Sequence, residues 1–185
     1  MVTERRWSPL LSACKLTPAA RTSLPFYLRW KPRMQHPILG DITRENDNGD
    51  GVARVSYGDR NIEIRIIAVE IPYDATIDVA ASLVRDLPAL DSRAKQVAAT
   101  ELTETYNDGW NEYDEAQADG TFKAVSNPKL TQDEFASKLT LNAVNVTGNM
   151  LGFFYEDENM FWGHSVVVNS MDGIAFTDTH AEIFG

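Results

Sequence analysis

The sequence predicts an α+β fold, in which an antiparallel sheet from an N-terminal meander and C-terminal strands is packed by two or three central helices. Apolar and polar residues alternate in segments between residues 37 and 71, and they alternate again from residue 140. Between these stretches, apolar residues recur at steps of three and four. Strands followed by helices and then strands are typical of α+β proteins rather than of alternating βαβ units.

Charge divides the chain into two parts. Residues 1–35 carry a balance of +6, whereas the remaining residues carry a balance of −16. Prolines interrupt every candidate element in the basic part. We expect residues 1–35 to be a flexible leader and 36–185 to form a single α+β domain. The alternative for the leader is a basic arm that binds nucleic acid or membrane.

Composition indicates a cytoplasmic protein without a cofactor. Cys14 is the single cysteine, which excludes an intrachain disulfide framework. The apolar runs are far shorter than the roughly 20 residues that span a bilayer. The segment 5-RRWSPLLSAC-14 has some features of an export signal, but Ser8 and Pro9 interrupt its apolar stretch. We expect no membrane association, and no nucleic acid on the folded domain.

The meander consists of three alternating segments, 37-PILGDITREN-46, 52-VARVSYG-58 and 60-RNIEIRIIAVEI-71. In a strand, alternation sends one set of side chains to a core and the other to water. Residues 48–51 and 58–59 supply the Asn, Asp and Gly of the turns.

Two helices are expected after Pro72. The first begins near Asp74 or Thr76, either of which is a suitable N-cap, and ends near Pro88. The second begins near Asp91 and continues through residues 106–113, although the Asp108-Gly109 pair weakens the pattern there. Its buried stripe comprises Ala94, Val97, Ala98 and Leu102.

A loop over residues 116–130 precedes a third, short helix. The stretch 131-TQDE-134 has the form of a capping box, and Phe135 and Leu139 follow at helical spacing. Strands then complete the chain, over 140–148, 150–157, 160–169 and 174–185.

Several of these stretches together resemble an uncharacterised bacterial domain-of-unknown-function family of the 2262 type: 36-HPILGDITR-44, 106-YNDGW-110, 131-TQDEFASKLTL-141, 161-FWGHSVVV-168 and 176-FTDTHAEIFG-185. The resemblance covers roughly residues 34–185 and is most specific in the final hairpin. It implies a bacterial, cytoplasmic protein, and it implies no activity. Small acidic domains of this kind are often immunity or accessory proteins encoded beside secreted toxins, which is an analogy of context.

Acidic residues recur along the second helix and beyond it. The six that follow the three-and-four step are Glu101, Glu104, Asp108, Glu112, Glu115 and Asp119. A continuous helix aligns them in one row, which is a docking surface for a basic protein such as a toxin or effector. The alternative is a solvated helix face. Trp110 and Trp162 are candidate interface anchors, or core residues.

The C-terminal histidines suggest a second site. If residues 176–185 are extended, Asp178, His180 and Glu182 share one face, and His164 approaches from the neighbouring strand. Such ligands suit zinc or iron, and His164 is also a candidate general base. No fixed spacing such as HExxH accompanies them. We therefore assign no metal and no catalytic residue, and keep these residues as the alternative site.

Two hypotheses follow. The first is a non-enzymatic, immunity-like or accessory domain that holds a basic partner on the acidic helix. The second is a small metal-dependent or histidine-based hydrolase that uses the C-terminal hairpin.

Overall fold

The computed structural model describes residues 33–45 and 50–185. Cys14 and nearly all of the basic leader lie outside these residues, and so do residues 46–49 of the first predicted turn. The N-terminal strands are β1 (Arg33–His36), β2 (Gly40–Arg44), β3 (Gly51–Tyr57) and β4 (Arg60–Ile67). Strand β1 takes in Arg33, Met34 and Gln35, which the charge pattern had assigned to the leader.

The middle of the chain contains the helices. It comprises α1 (Tyr73–Arg85), α2 (Leu87–Thr105), a π-helical turn (Tyr106–Trp110), β5 (Glu112–Ala116), β6 (Phe122–Ser126) and α3 (Gln132–Lys138). The C-terminal part contains β7 (Thr140–Thr147), β8 (Met150–Glu156), β9 (Ser165–Ser170), a 3₁₀ turn (Gly173–Ala175) and β10 (Thr179–Phe184).

Within the described residues, eight strands form one sheet in the order β1-β2-β3-β4-β7-β8-β9-β10. Neighbours are antiparallel except β4 and β7, which run parallel with Ile64 opposite Val144. The parallel pair joins the N-terminal meander to the C-terminal strands, and the helices belong to the connection between them. The predicted α+β fold is confirmed.

One face of the sheet packs against the helices. Along β4, Ile62, Ile64 and Ile66 are buried in the core, whereas Glu63 and Arg65 lie on the other face, which we call the open face. The predicted stripe of α2 packs on the same core through the buried residues Ala94, Ala98 and Leu102. Strands covered on one face alone keep the alternation that identified them in the sequence.

The boundary between α1 and α2 differs from the prediction. Helix α2 begins at Leu87 and carries Pro88 in its first turn, where a missing N–H removes no helical hydrogen bond. Neither Asp74 nor Thr76 caps α1, whose N-cap is Pro72. The Thr76 hydroxyl instead donates to the Pro72 carbonyl at 3.2 Å.

The prediction that α2 continues to Tyr113 is wrong. The helix loosens into the π-helical turn, and residues 112–126 leave as a hairpin of β5 and β6, so part of the predicted loop is a strand. Two asparagines hold the chain as it leaves and returns. The Asn107 side chain exchanges hydrogen bonds of 2.9 and 2.8 Å with the Leu130 backbone. The backbone carbonyl of Asn111 accepts the Asn127 backbone amide at 2.7 Å, and the Asn111 side-chain amide donates to the Asn127 carbonyl at 3.0 Å.

The capping box of α3 is confirmed. The Glu134 amide donates to the Thr131 hydroxyl at 3.3 Å, and the Thr131 amide donates to the Glu134 carboxylate at 2.8 Å. The box begins the helix where Phe135 can enter the core, and Phe135 is fully buried.

The last two strands are shorter than predicted, because two aspartates hold turns. The buried Asp157 carboxylate accepts the amides of Asn159 and Phe161 at 3.0 and 2.9 Å, which replaces the expected strand over 160–164. The Asp172 carboxylate accepts the Thr177 amide and hydroxyl, and these bonds, led by the hydroxyl, lower its pKa to about 2.

A buried polar network ties α2 to the sheet. The Asp91 carboxylate accepts hydrogen bonds from the hydroxyls of Tyr57 and Tyr155 at 2.8 and 2.9 Å, and the Lys95 ammonium lies 3.4 Å away. Burial and the Asp91 carboxylate raise the pKa of Tyr57 to about 12, and that of the deeply buried Tyr155 also rises. Both phenols therefore stay protonated as donors at neutral pH.

We predict that Asp91→Ala lowers the free energy of unfolding by about 2–3 kcal/mol. The change leaves the buried Tyr155 hydroxyl with only a long bond of 3.4 Å to the residue 91 carbonyl. Asp78→Ala, on the exposed side of α1, is the control and should change it by less than about 0.5 kcal/mol. Urea denaturation measures both. A loss at residue 91 no larger than the control's contradicts the role of the network.

Candidate functional site

The six acids that the sequence aligned in one row lie on three different elements. Glu101 and Glu104 are on α2, and Asp108 is in the π-helical turn. Glu112 and Glu115 are on β5, and Asp119 lies in the turn between β5 and β6. None of the six forms a salt bridge with another described residue.

The first three of these acids share an open groove with two tryptophans. The aromatic groove, as we call it, has a volume of about 560 Å³. Its lining consists of Glu101, Glu104, Thr105, Asp108, Gly109, Trp110 and Trp162. Residues from the end of α2 thus meet the turn between β8 and β9, which is distant in sequence.

The two indoles are held against one another. Their ring centroids are 4.6 Å apart at an interplanar angle of 47°. Trp110 also packs edge-on against Phe161 at 5.3 Å and against His164 at 5.6 Å. Trp162 is 47% exposed, and Tyr113 of β5 approaches its ring at 6.0 Å. The Trp162 ring is therefore exposed to solvent in the groove, while its contacts with Trp110 and Tyr113 hold it in place.

This aromatic surface is anchored in the core through Phe161. That side chain is fully buried, and its ring contacts those of Tyr106 and Phe135 at 6.1 Å each. The Asp157 turn presents Trp162 at φ 52°, in the left-handed region. Side chains locked by packing in this way keep a binding surface in one geometry.

Glu101 has a structural task that the sequence did not indicate. Strand β10 lies at the edge of the sheet, and its Ala181 amide donates to the Glu101 carboxylate at 2.7 Å. An unpaired edge N–H is a site for unwanted strand pairing, and a carboxylate that accepts it blocks that pairing. Glu101 adds negative charge to the groove, but this hydrogen bond occupies one of its oxygens.

The hairpin extends the acidic region. The residues of β5 and β6 are exposed on both faces except Val125, which is half-buried. Asp119 accepts the hydroxyl and the amide of Thr121 at 2.6 and 3.0 Å, and these bonds lower its pKa. Asp119 thus shapes the hairpin turn and stays ionised.

The histidine site is not assembled as the sequence suggested. Asp178 precedes β10 and does not belong to it. His180 and Glu182 share a face of β10, with His180 Nε2 3.9 Å from a Glu182 carboxylate oxygen. His180 pairs with Asn169 of β9, whereas His164 lies five residues earlier, just before that strand. Five residues of extended chain separate the two histidines by about 16 Å. No three His, Cys, Asp or Glu side chains in the described part of the chain are grouped as a metal ion requires.

His164 and Glu182 have structural partners instead. The His164 ring packs against the Trp110 ring, and the Glu182 carboxylate accepts a hydrogen bond from the side-chain amide of Asn169 at 3.0 Å. The convergence of Trp110, Trp162 and Tyr113 escaped sequence reasoning, since a helix through residue 113 places Tyr113 on the wrong element. Asp157, placed to hold a turn before FWG, is the signal that could have revealed it.

We predict that Glu101→Ala lowers the free energy of unfolding by about 1–2 kcal/mol, because it leaves the Ala181 amide without its acceptor. Glu104→Ala, one helical turn further on, removes the same charge but no hydrogen bond and should cost less than about 0.5 kcal/mol. Urea denaturation of both variants measures the difference. Equal losses would show that Glu101 contributes only charge.

Among the described residues, no helix has the length and the apolar character needed to cross a membrane.

A search of the curated proteins and a search of the solved structures found no match. A family model described as an uncharacterized protein conserved in bacteria, DUF2262, matches residues 36–180. This match covers most of the chain, including both sides of the aromatic groove. The chain therefore belongs to the DUF2262 family of bacterial proteins.

Proposed function

We propose that this domain is a non-enzymatic protein-binding module that holds a basic partner on its acidic surface. This surface consists of the aromatic groove and the hairpin of residues 112–126. The observation that carries the proposal is the pair of packed indoles beside Glu104 and Asp108. Like these two acids, Glu112, Asp114 and Glu115 of the hairpin form no salt bridge with another described residue.

Electrostatics favours a basic partner over a neutral or acidic one. The carboxylates of Glu104 and Asp108 are exposed, and no described cation neutralises them. On the hairpin, Lys123 lies opposite Glu115 and is outnumbered by acids. A patch of one sign raises the rate of encounter with an oppositely charged protein and orients it.

The hairpin has the properties of an interface element. An isolated two-stranded hairpin is marginally stable in water, because it cannot bury a hydrophobic face of its own. Phe122 near its tip is 72% exposed, and Tyr113 at its base is 37% exposed. Aromatic residues of this kind supply the buried centre of protein interfaces, and charged residues supply the rim.

The biological setting that we propose follows from this surface and from the bacterial family. The domain acts in the cytoplasm as an immunity-like or accessory protein. Its partner is a basic toxin or effector encoded by a neighbouring gene. Binding by charge complementarity and aromatic anchors requires no cofactor and no catalytic residue.

We predict that the double charge reversal Glu104→Lys, Asp108→Lys weakens binding of the basic protein encoded by such a gene by at least about tenfold. Both sites are exposed, so folding should be preserved. Asp78→Lys on α1 is the matched control, since it reverses a charge away from the groove. Isothermal titration calorimetry at low and at physiological salt measures the affinities.

The wild-type affinity should fall as salt rises, and the double variant should lose most of this dependence. An affinity that the double reversal leaves unchanged at both salt concentrations contradicts the proposed acidic surface. An equal loss in Asp78→Lys would show that net charge alone, and not this surface, attracts the partner.

A further inference from the structure

The aromatic groove offers a cation a specific geometry in addition to negative charge. Exposed indole lies beside the carboxylates of Glu104 and Asp108, and no lysine or arginine is among the described residues that line the groove. The face of an indole attracts cations through its quadrupole, most strongly among the aromatic side chains. These features indicate which cation the groove prefers, an inference that rests on the proposed function.

We propose that the groove binds an arginine side chain of the partner. Its guanidinium plane stacks on the exposed Trp162 ring, and its N–H groups donate to the carboxylates of Glu104 and Asp108. Occupation by a cation also neutralises part of the repulsion between these carboxylates.

Arginine fits this site better than lysine for a geometric reason. A guanidinium is planar and can stack on a ring while it donates in its own plane, whereas an ammonium is a compact, strongly hydrated point charge. The groove is open and is lined both by the two indoles and by the side chains of Glu104 and Asp108. A guanidinium can therefore stack on an indole and donate to the carboxylates at the same time.

The same chain uses this interaction internally. The Arg93 guanidinium lies 5.0 Å from the centroid of the Phe176 ring and donates to the Phe176 carbonyl at 2.8 Å. Arg44 lies 4.9 Å from the centroid of the Tyr73 ring. Arg93 is held by the backbone carbonyls of residues 175 and 176. No described lysine or arginine lines the groove, so the cation that we propose comes from the partner.

Two short blocked peptides of equal length and charge test the inference, one of glycine and arginine and the other of glycine and lysine. The indole N–H resonances of the ¹⁵N-labelled full chain report binding. We expect the Trp110 and Trp162 resonances to shift. The arginine peptide should bind about three- to tenfold more tightly than the lysine peptide.

Variants separate stacking from charge. Trp162→Leu should remove the arginine preference, and Trp162→Phe should retain part of it, because a smaller ring still stacks. Glu104→Gln keeps the shape of the side chain and should weaken both peptides to a similar extent. If Trp162→Leu loses its fold, as judged by its amide spectrum, Trp162→Phe and Glu104→Gln still decide the question.

Equal affinities for the two peptides, or tighter binding of lysine, would overturn the arginine site. The acidic surface would still stand if Glu104→Gln weakened both. An arginine preference that persists in Trp162→Leu would also overturn the site. If neither peptide bound, even at low salt, the arginine site would be overturned, and the result would count against the acidic surface as well.

Discussion

The packing around Phe161 is the interaction on which the candidate site depends. The π-helical turn after α2 supplies Tyr106 and Trp110, α3 supplies Phe135, and the turn after β8 supplies Phe161 itself. The Asp157 carboxylate holds the Phe161 amide at 2.9 Å, so a polar contact fixes the turn that carries the central ring. Trp162 follows directly in the chain, and its position in the groove is a consequence of this packing.

Charge is arranged differently on the two surfaces of the domain. On the open face, Glu63 of β4 pairs with Arg65 of the same strand at 2.8 Å and with Arg54 of β3 at 3.4 Å, so these charges neutralise one another within and between strands. Around the groove, Glu104 and Asp108 have no such partner among the described residues. Unpaired acids repel one another and contribute little to folding, whereas paired charges across strands stabilise a sheet. This contrast separates charges that stabilise the sheet from Glu104 and Asp108 in the groove, which have no such structural role among the described residues.

Local patterns predicted much of the fold, and long-range hydrogen bonds account for most of what they missed. Alternation identified the strands on both sides of the helices, and the capping box placed α3, because both signals lie within a few residues. The end of α2 depends on Asn107, which bonds a backbone 23 residues away. The groove likewise joins Trp110 to Trp162 across elements. The sequence predicted one helical row for the six acids. That prediction was wrong because the hairpin of β5 and β6 interrupts the helix after residue 110.

Hydrogen–deuterium exchange of the domain with the basic partner that we propose tests the central claim most directly, because it maps the contact surface without any substitution. We predict that binding slows exchange over residues 104–126 and 158–164, which contain the rim of the groove, the hairpin and the turn with Trp162. The strands of the open face should exchange as they do in the free domain. Protection that falls on the open face, with the hairpin and the groove unchanged, would contradict the account.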